Sequence, residues 1–389
     1  MADVKERITK FFSQGDQNYG LIIALIFIAL FFQIITGGII FRPLNVTNII
    51  LQNSYIMILA IGMLLCILTG NIDLSVGSVA ALVSAATGVM IVSNKMGVFP
   101  AIIIALVIGA LIGIWNGYWI AYVNIPAFIV TLGGQLIFRG VTLGILQGRT
   151  LGPYPGSFQI ISSGFLPDPF GRQDLHVFTL IIGLICMALY TFLEVSKYKR
   201  QKSYGTSTGS FGTFVIMLVI ANFAIIAFSY LLALYQGIPN VMLLLAVLII
   251  AYGFVTTRTT MGRHIYAFGG NQLAARLSGI KTKRVFFWVY VNNSILAALA
   301  GIVYAGRLNA ASPKAGNLFE LDAIASCYIG GASASGGIGT VPGAIIGALV
   351  MGLMNNGMSI MGLGVDWQQA IKGLVLILAV AFDMLSRKR

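Results

Sequence analysis

Apolar runs close to the length of a bilayer recur from one end of this chain to the other, and that recurrence leaves few folds open. About 20 residues of α-helix cross a hydrocarbon core of ~30 Å. Inside lipid every backbone N–H and C=O must find a partner within the protein, so only helices and closed barrels can span it. A barrel would read as ~10-residue strands of alternating polarity, a pattern not visible here. Charged residues are 9% of the 389, and hydrophobic residues 58%; soluble domains carry about 25% charged residues. The expected fold is all-α: one polytopic transmembrane helical bundle over 1–389.

Twelve stretches read as spans: 19–40, 47–69, 75–93, 100–122, 126–147, 175–196, 211–235, 239–257, 285–305, 318–333, 336–358 and 366–386. Two segments look broken by Gly and polar residues, which sets the expected count at 10–12. The net charge of +13 suggests nucleic acid until its distribution is considered. Sixteen of the 24 basic residues fall in four clusters: Lys5/Arg7/Lys10, Lys197/Lys199/Arg200/Lys202, the six between Arg258 and Arg284, and Arg387/Lys388/Arg389. Basic residues gather on the cytoplasmic side of membrane proteins. With all four clusters inside, twelve crossings return both termini to the cytoplasm, so the charge reports topology and no nucleic-acid partner is expected. The first apolar stretch has no small-residue cleavage site and reads as an uncleaved span.

Little here points to enzymatic chemistry. Cys66, Cys186 and Cys327 all sit within apolar runs, and His176 and His264 are the only histidines. No metal-ligand spacing, Ser/His/Asp set or paired carboxylates can be assembled, so neither a metal nor a cofactor is expected. The Gly-rich run Gly330–Thr340 invites a phosphate-loop reading, but Gly-Lys occurs nowhere in the chain and a Walker A loop requires it.

The two breaks are Thr69–Ser78 and Ile329–Thr340. Irregular backbone at membrane depth is tolerated where protein buries it or water reaches it, so both are candidates for a translocation pathway. In the first, Asn71, Asp73 and Ser75 are the polar side chains. Asp73 suits an N-cap for a helix starting at Leu74; a carboxylate at membrane depth also suits contact with a substrate or ion. In the second, Gly330, Gly331 and Ser335 fit either close helix packing or a substrate gate. Asn116 lies between Trp115 and Trp119, and Phe128 follows Asn124–Ile125–Pro126. Amides and aromatic faces suit neutral polyols, although the tryptophans also suit an interfacial belt and Pro126 a helix start. Gly148–Asp174, with four prolines, reads as an irregular external loop, and Lys197–Ser210 as an internal flexible linker.

A polar, basic island of small residues, Gly262–Ile280, separates two apolar runs. It belongs outside the hydrocarbon. Its Ala-Ala-Arg-Leu-Ser-Gly-Ile core (274–280) can form one short amphipathic helix shaped to seat in a groove on another subunit; the plainer alternative is a solvated loop.

Five segments in this order resemble the membrane permease subunits of bacterial ABC importers for ribose, xylose and galactose. They are Gly70–Ser78 (GNIDLSVGS), Asn124–Gly133 (NIPAFIVTLG), Thr260–Ile280 (TMGRHIYAFGGNQLAARLSGI), Ile329–Gly347 (IGGASASGGIGTVPGAIIG) and Trp367–Asp383 (WQQAIKGLVLILAVAFD). The length looks most like multiple-monosaccharide or xylose permeases, with residues 174–235 as an insertion adding two spans. The resemblance implies a monosaccharide substrate, a pore of two permease copies in the bacterial cytoplasmic membrane, a cytoplasmic ABC ATPase and an extracytoplasmic sugar-binding protein. It also implies that Gly269, Gly270, Asn271, Ala274, Ala275, Arg276, Leu277, Ser278, Gly279 and Ile280 form the segment that couples to the ATPase. The rival class is an ion-coupled secondary transporter, for which a shortage of intramembrane acids and histidines is a poor fit.

Overall fold

A computed structural model describes residues 18–171, 175–204 and 211–386. The first half holds α1 (Asn18–Ile35), α2 (Pro43–Leu68), α3 (Val76–Thr87), α4 (Val98–Ala121), α5 (Ala127–Leu146), α6 (Gly156–Ser163) and α7 (Val177–Ser203). The second holds α8 (Phe211–Ala233), α9 (Asn240–Arg258), α10 (Thr260–Gly270), α11 (Gln272–Leu277), α12 (Thr282–Leu308), α13 (Phe319–Ile329), α14 (Val341–Ile360) and α15 (Val365–Ser386). Among the described residues no β-strand forms, and ten helices are long and apolar enough to cross a membrane.

The twelve-span expectation is corrected in two places. The apolar part of α1 within the described residues is the 16-residue stretch Gly20–Ile35, a rise of ~24 Å that falls outside those ten. α13 has only 11 residues, a rise of ~16 Å, about half a bilayer. It stops because Gly330 and Gly331 follow, and Gly331 takes φ +83°, which an L side chain rarely adopts.

The centre of the bundle is α2. Pro43 opens it, where a missing N–H costs nothing, and 89% of its apolar window is buried inside the protein. α12, α13 and α14 surround it, and α3, packed on α12, continues into a π-helical turn over Gly88–Ser93. α4 runs antiparallel to α12 at close range. Gly109, Gly113 and Gly117 stand four residues apart on α4, and a Cβ on each would run into Ala298, Val291 and Phe287 of α12 in turn. Small residues at this spacing let backbones approach, which matters in a membrane because lipid tails solvate larger apolar side chains equally well.

The stretch read as an insertion is a helical hairpin at the periphery. α7 and α8 pack on each other through Thr191 and Asn222, which exchange hydrogen bonds at 3.1 and 2.9 Å, and through stacked Tyr198 and Phe214. Only 11% of either helix's apolar window is buried. The linker expectation is corrected here: Lys197–Ser203 is helix, since Lys, Arg and Gln are good helix formers, while 205–210 lie outside the described residues. The segment after α5 is also more ordered than expected. It contains α6, and isolated bridges tie Leu151 to Ala311 and Phe165 to Pro239. Three connections, those following α5, α8 and α12, are thereby joined on one face of the bundle. The basic ends of α7 and α9 are two crossings apart and so share the opposite face. Lys5/Arg7/Lys10 and Arg387/Lys388/Arg389 lie outside the described residues.

Candidate functional site

The first break begins where α2 ends. Thr69 caps it, Gly70 turns with φ +74°, and Asn71–Ile72–Asp73 run without helix until α3 starts at Val76. The start is two residues later than expected, with Ser75 as N-cap. Asp73 is fully buried. Its Oδ1 accepts from the Ser75 N–H at 2.9 Å and the Ser75 hydroxyl at 2.6 Å, and its Oδ2 accepts from the Asn293 amide at 2.9 Å. Asn116, equally buried, donates to the Ser75 hydroxyl at 3.1 Å. Three residues expected on the pathway, Asp73, Ser75 and Asn116, are therefore brought together, but as an internal clamp. It fastens the first break to α4 and α12. Asn293 completes the clamp and was missed in the sequence, where it showed only as an amide inside an apolar run.

Asn71 and Phe128 sit elsewhere, on an open recess of about 280 Å³ walled also by Gly70, Tyr328 and Ala334. A neighbouring recess of about 240 Å³ shares Asn71, Pro126 and Ala127 and extends to Asn124, Phe268, Gln272 and Lys283. Together they form a cleft from the two breaks to the α10–α11 segment, lined by amides and aromatic rings.

The second break is shaped by its glycines. Gly330 ends α13 so close to Gly343 that a Cβ would strike the Gly343 carbonyl, which bears out close packing there. Gly331 and Ser335 are exposed, and the Ser333 and Ser335 hydroxyls are 2.8 Å apart. Thr340 then caps α14, its hydroxyl accepting from the Gly343 N–H at 3.1 Å.

The island folds as two helices. α10 buries Ile265 and Phe268 and ends at Gly269–Gly270. Asn271 caps α11, its side chain accepting from the Ala274 N–H at 2.9 Å. Ala275 faces inward, whereas Ala274, Arg276, Ser278 and Gly279 are exposed and Ile280 is half-buried. Leu273 and Leu277 are 67% and 81% exposed and stand one turn apart, an apolar knob on a basic surface. Leu273 was not anticipated; its signal is the Leu-x-x-x-Leu spacing.

Further acids lie inside the bundle. Glu320 and Asp322, in the first turn of α13, are buried. Asp322 pairs with Lys372 of α15 at 3.0 Å, and Glu320 accepts from the Gln135 amide at 2.9 Å. Neither was singled out in the sequence, since 318–333 read as one uniform span. No cluster of His, Cys, Asp and Glu able to hold a metal exists among the described residues.

The family profile described as "Branched-chain amino acid transport system / permease component" matches residues 45–380. The chain belongs to this permease family. The permease is 39% identical over 373 residues to the xylose transport system permease protein XylH of Escherichia coli K12, covering 96% of this chain and 93% of that one. It is 40% identical over 376 residues to XylH of Haemophilus influenzae, covering 96% and 97%. To the ribose import permease protein RbsC of E. coli K12 it is 33% identical over 339 residues, covering 87% and 85%. No solved structure matches it. Both breaks, the cleft and α10–α11 fall inside the matched region, so the permease is a multi-pass membrane protein of known class with its candidate site at the heart of the family's domain.

Proposed function

We propose that this permease is the membrane-spanning subunit of an ATP-driven ABC importer for a monosaccharide of the xylose, ribose or galactose kind. It works as one of two copies in the bacterial cytoplasmic membrane. A cytoplasmic ATPase drives it, and an extracytoplasmic sugar-binding protein feeds it. The observation that carries the reading is the near end-to-end similarity to xylose permeases. The lining of the cleft supports it: Asn71, Asn124 and Gln272 offer amides to hydroxyls, and Phe128 offers a ring face. The pathway is assigned to Asn71 and Phe128, with Gly331 and Ser335 of the second break beside it. Asp73, Ser75, Asn116 and Gly330 hold the walls.

The basic ends of α7 and α9 and the α10–α11 surface are cytoplasmic in this reading, as are both termini once α1, and α13 with the segment before it, are counted as crossings. Residues 174–235 are an added peripheral hairpin. The test is uptake of labelled xylose, ribose and galactose by cells with the complete system, using intact or catalytically dead ATPase, and separately an uncoupler. Uptake that needs the live ATPase and tolerates the uncoupler is expected. Uptake that ignores the ATPase and collapses with the ion gradient would overturn the proposal in favour of ion coupling.

The ATPase contact is assigned to the exposed side of α11. Arg276→Glu and Leu277→Glu change groups that touch little of the permease itself, so its stability should stay within ~0.5 kcal/mol. Co-purification of the ATPase should nonetheless fall at least roughly tenfold, as for truncation of an interface anchor costing more than ~1.4 kcal/mol. Undiminished co-purification with both variants would remove α11 from the interface.

A further inference from the structure

The inner side of the α10–α11 segment meets the two breaks backbone to backbone. Gly337 N–H donates to the Leu68 carbonyl at 2.9 Å, joining the second break to the last turn of α2. Gly269 lies over that bond: a Cβ there would overlap the Leu68 carbonyl and stand 2.6 Å from the Gly337 nitrogen. Gly336 approaches Gly70 so closely that a Cβ would be 2.9 Å from the Gly70 nitrogen and 3.1 Å from the Gly269 carbonyl. One residue on, a Gly337 Cβ would be 2.9 Å from the Gly270 nitrogen. Three glycine turns from distant parts of the chain thus share one point. A second tie lies one turn earlier on α10, where the Tyr266 hydroxyl donates to the Gly339 carbonyl at 2.6 Å.

We propose that Tyr266 and the Gly269–Gly337–Leu68 junction are the positioning elements that transmit movement of the coupling segment to both broken segments. This rests on the reading of the chain as an ATP-driven permease. The outer side of α11 carries the exposed leucines that receive the push, and the inner side of α10 delivers it. Backbone contacts have no rotamers to absorb a displacement, and close-packed interiors transmit strain instead of yielding. Two ties one turn apart also resist rotation of α10, which a single tie would allow. The moving parts then include Gly70, Asn71 and Ala334, which line the recess, so a shift of α10 reshapes the cleft without any side chain relaying it. Burial raises the Tyr266 pKa above the ordinary tyrosine range, which keeps the hydroxyl a donor.

The test is performed on the complete transporter in proteoliposomes, measuring labelled xylose transported per ATP hydrolysed for wild type, Tyr266→Phe and Gly337→Ala. A neutral hydrogen bond contributes ~1 kcal/mol, so Tyr266→Phe should lower the ratio roughly fivefold while ATPase binding and hydrolysis stay at wild-type levels. Gly337→Ala, which forces a Cβ against the Gly270 nitrogen at φ +74°, should lower it further. An unchanged ratio in both variants would overturn the proposal, and so would hydrolysis and transport falling in proportion, which is the sign of a lost ATPase contact. Should Gly337→Ala fail to reach the membrane, Tyr266→Phe decides alone. A wild-type complex without ATP-dependent uptake would instead remove the functional reading on which the proposal stands.

Discussion

Asp73→Ala is expected to unfold the permease at a markedly lower temperature, while Asp73→Asn should leave it near wild type. Asp73 is the shared acceptor for the Ser75 N–H, the Ser75 hydroxyl and the Asn293 amide, all buried. Alanine removes every acceptor at once. At ~0.6 kcal/mol per bond, the average within membrane proteins, the loss is about 2 kcal/mol. At the ~1–3 kcal/mol of an unsatisfied buried donor it is larger, so about 2–5 kcal/mol brackets the expectation. Asparagine keeps one oxygen for Ser75, and its new N–H₂ group faces Asn293, whose Oδ1 has no hydrogen-bond partner among the described residues. A turned Asn293 amide would accept from it. The measurement is thermal unfolding of purified permease in detergent for both variants. If the two fell equally, the negative charge itself would matter and the clamp account would be wrong.

Gly269→Val should abolish transport with the permease still in the membrane. The added carbons meet the Leu68 carbonyl and the Gly337 nitrogen, both backbone atoms that cannot rotate away. Overpacking of this kind costs ~1–3 kcal/mol, and a bias of that size between two conformations corresponds to a roughly 5- to 150-fold change in coupling. Gly270 is the internal comparison. Nothing lies within 4 Å of its virtual Cβ, so Gly270→Ala should leave stability unchanged. Uptake in cells expressing each variant at matched membrane abundance checks this. Equal uptake for Gly269→Val and wild type would mean that the close approach at Gly269 carries no transport function.

The class, the broken segments and the polar island were legible because each leaves a local mark. Lipid tolerates no unpaired backbone, so long apolar runs declare helices, and Gly, Asn and Asp within such runs declare breaks. The placement of Asn71 and Phe128 on one recess and of Arg276 and Leu277 on one surface followed the same local logic. Where reading failed, the deciding interaction lay outside the segment itself. The run 318–333 resembles a full span, yet Gly330 packs on Gly343 and the helix stops at 11 residues. Asp73 suited a helix cap first and substrate contact second. What selected burial was Asn293, 220 positions away.

Residue chemistry alone therefore determined that this protein is a helical membrane bundle and where its helices break. Those are properties of segments against a solvent, and a bilayer acts on each segment separately. The tertiary structure alone decided what the breaks do. Asp73, Ser75 and Asn116 are joined in one hydrogen-bonded clamp, and Gly269, Gly337 and Leu68 meet at one junction. Glycine has no side chain to advertise its neighbour, so a close approach of backbones is written in the sequence only as an absence, and packing must supply the partner.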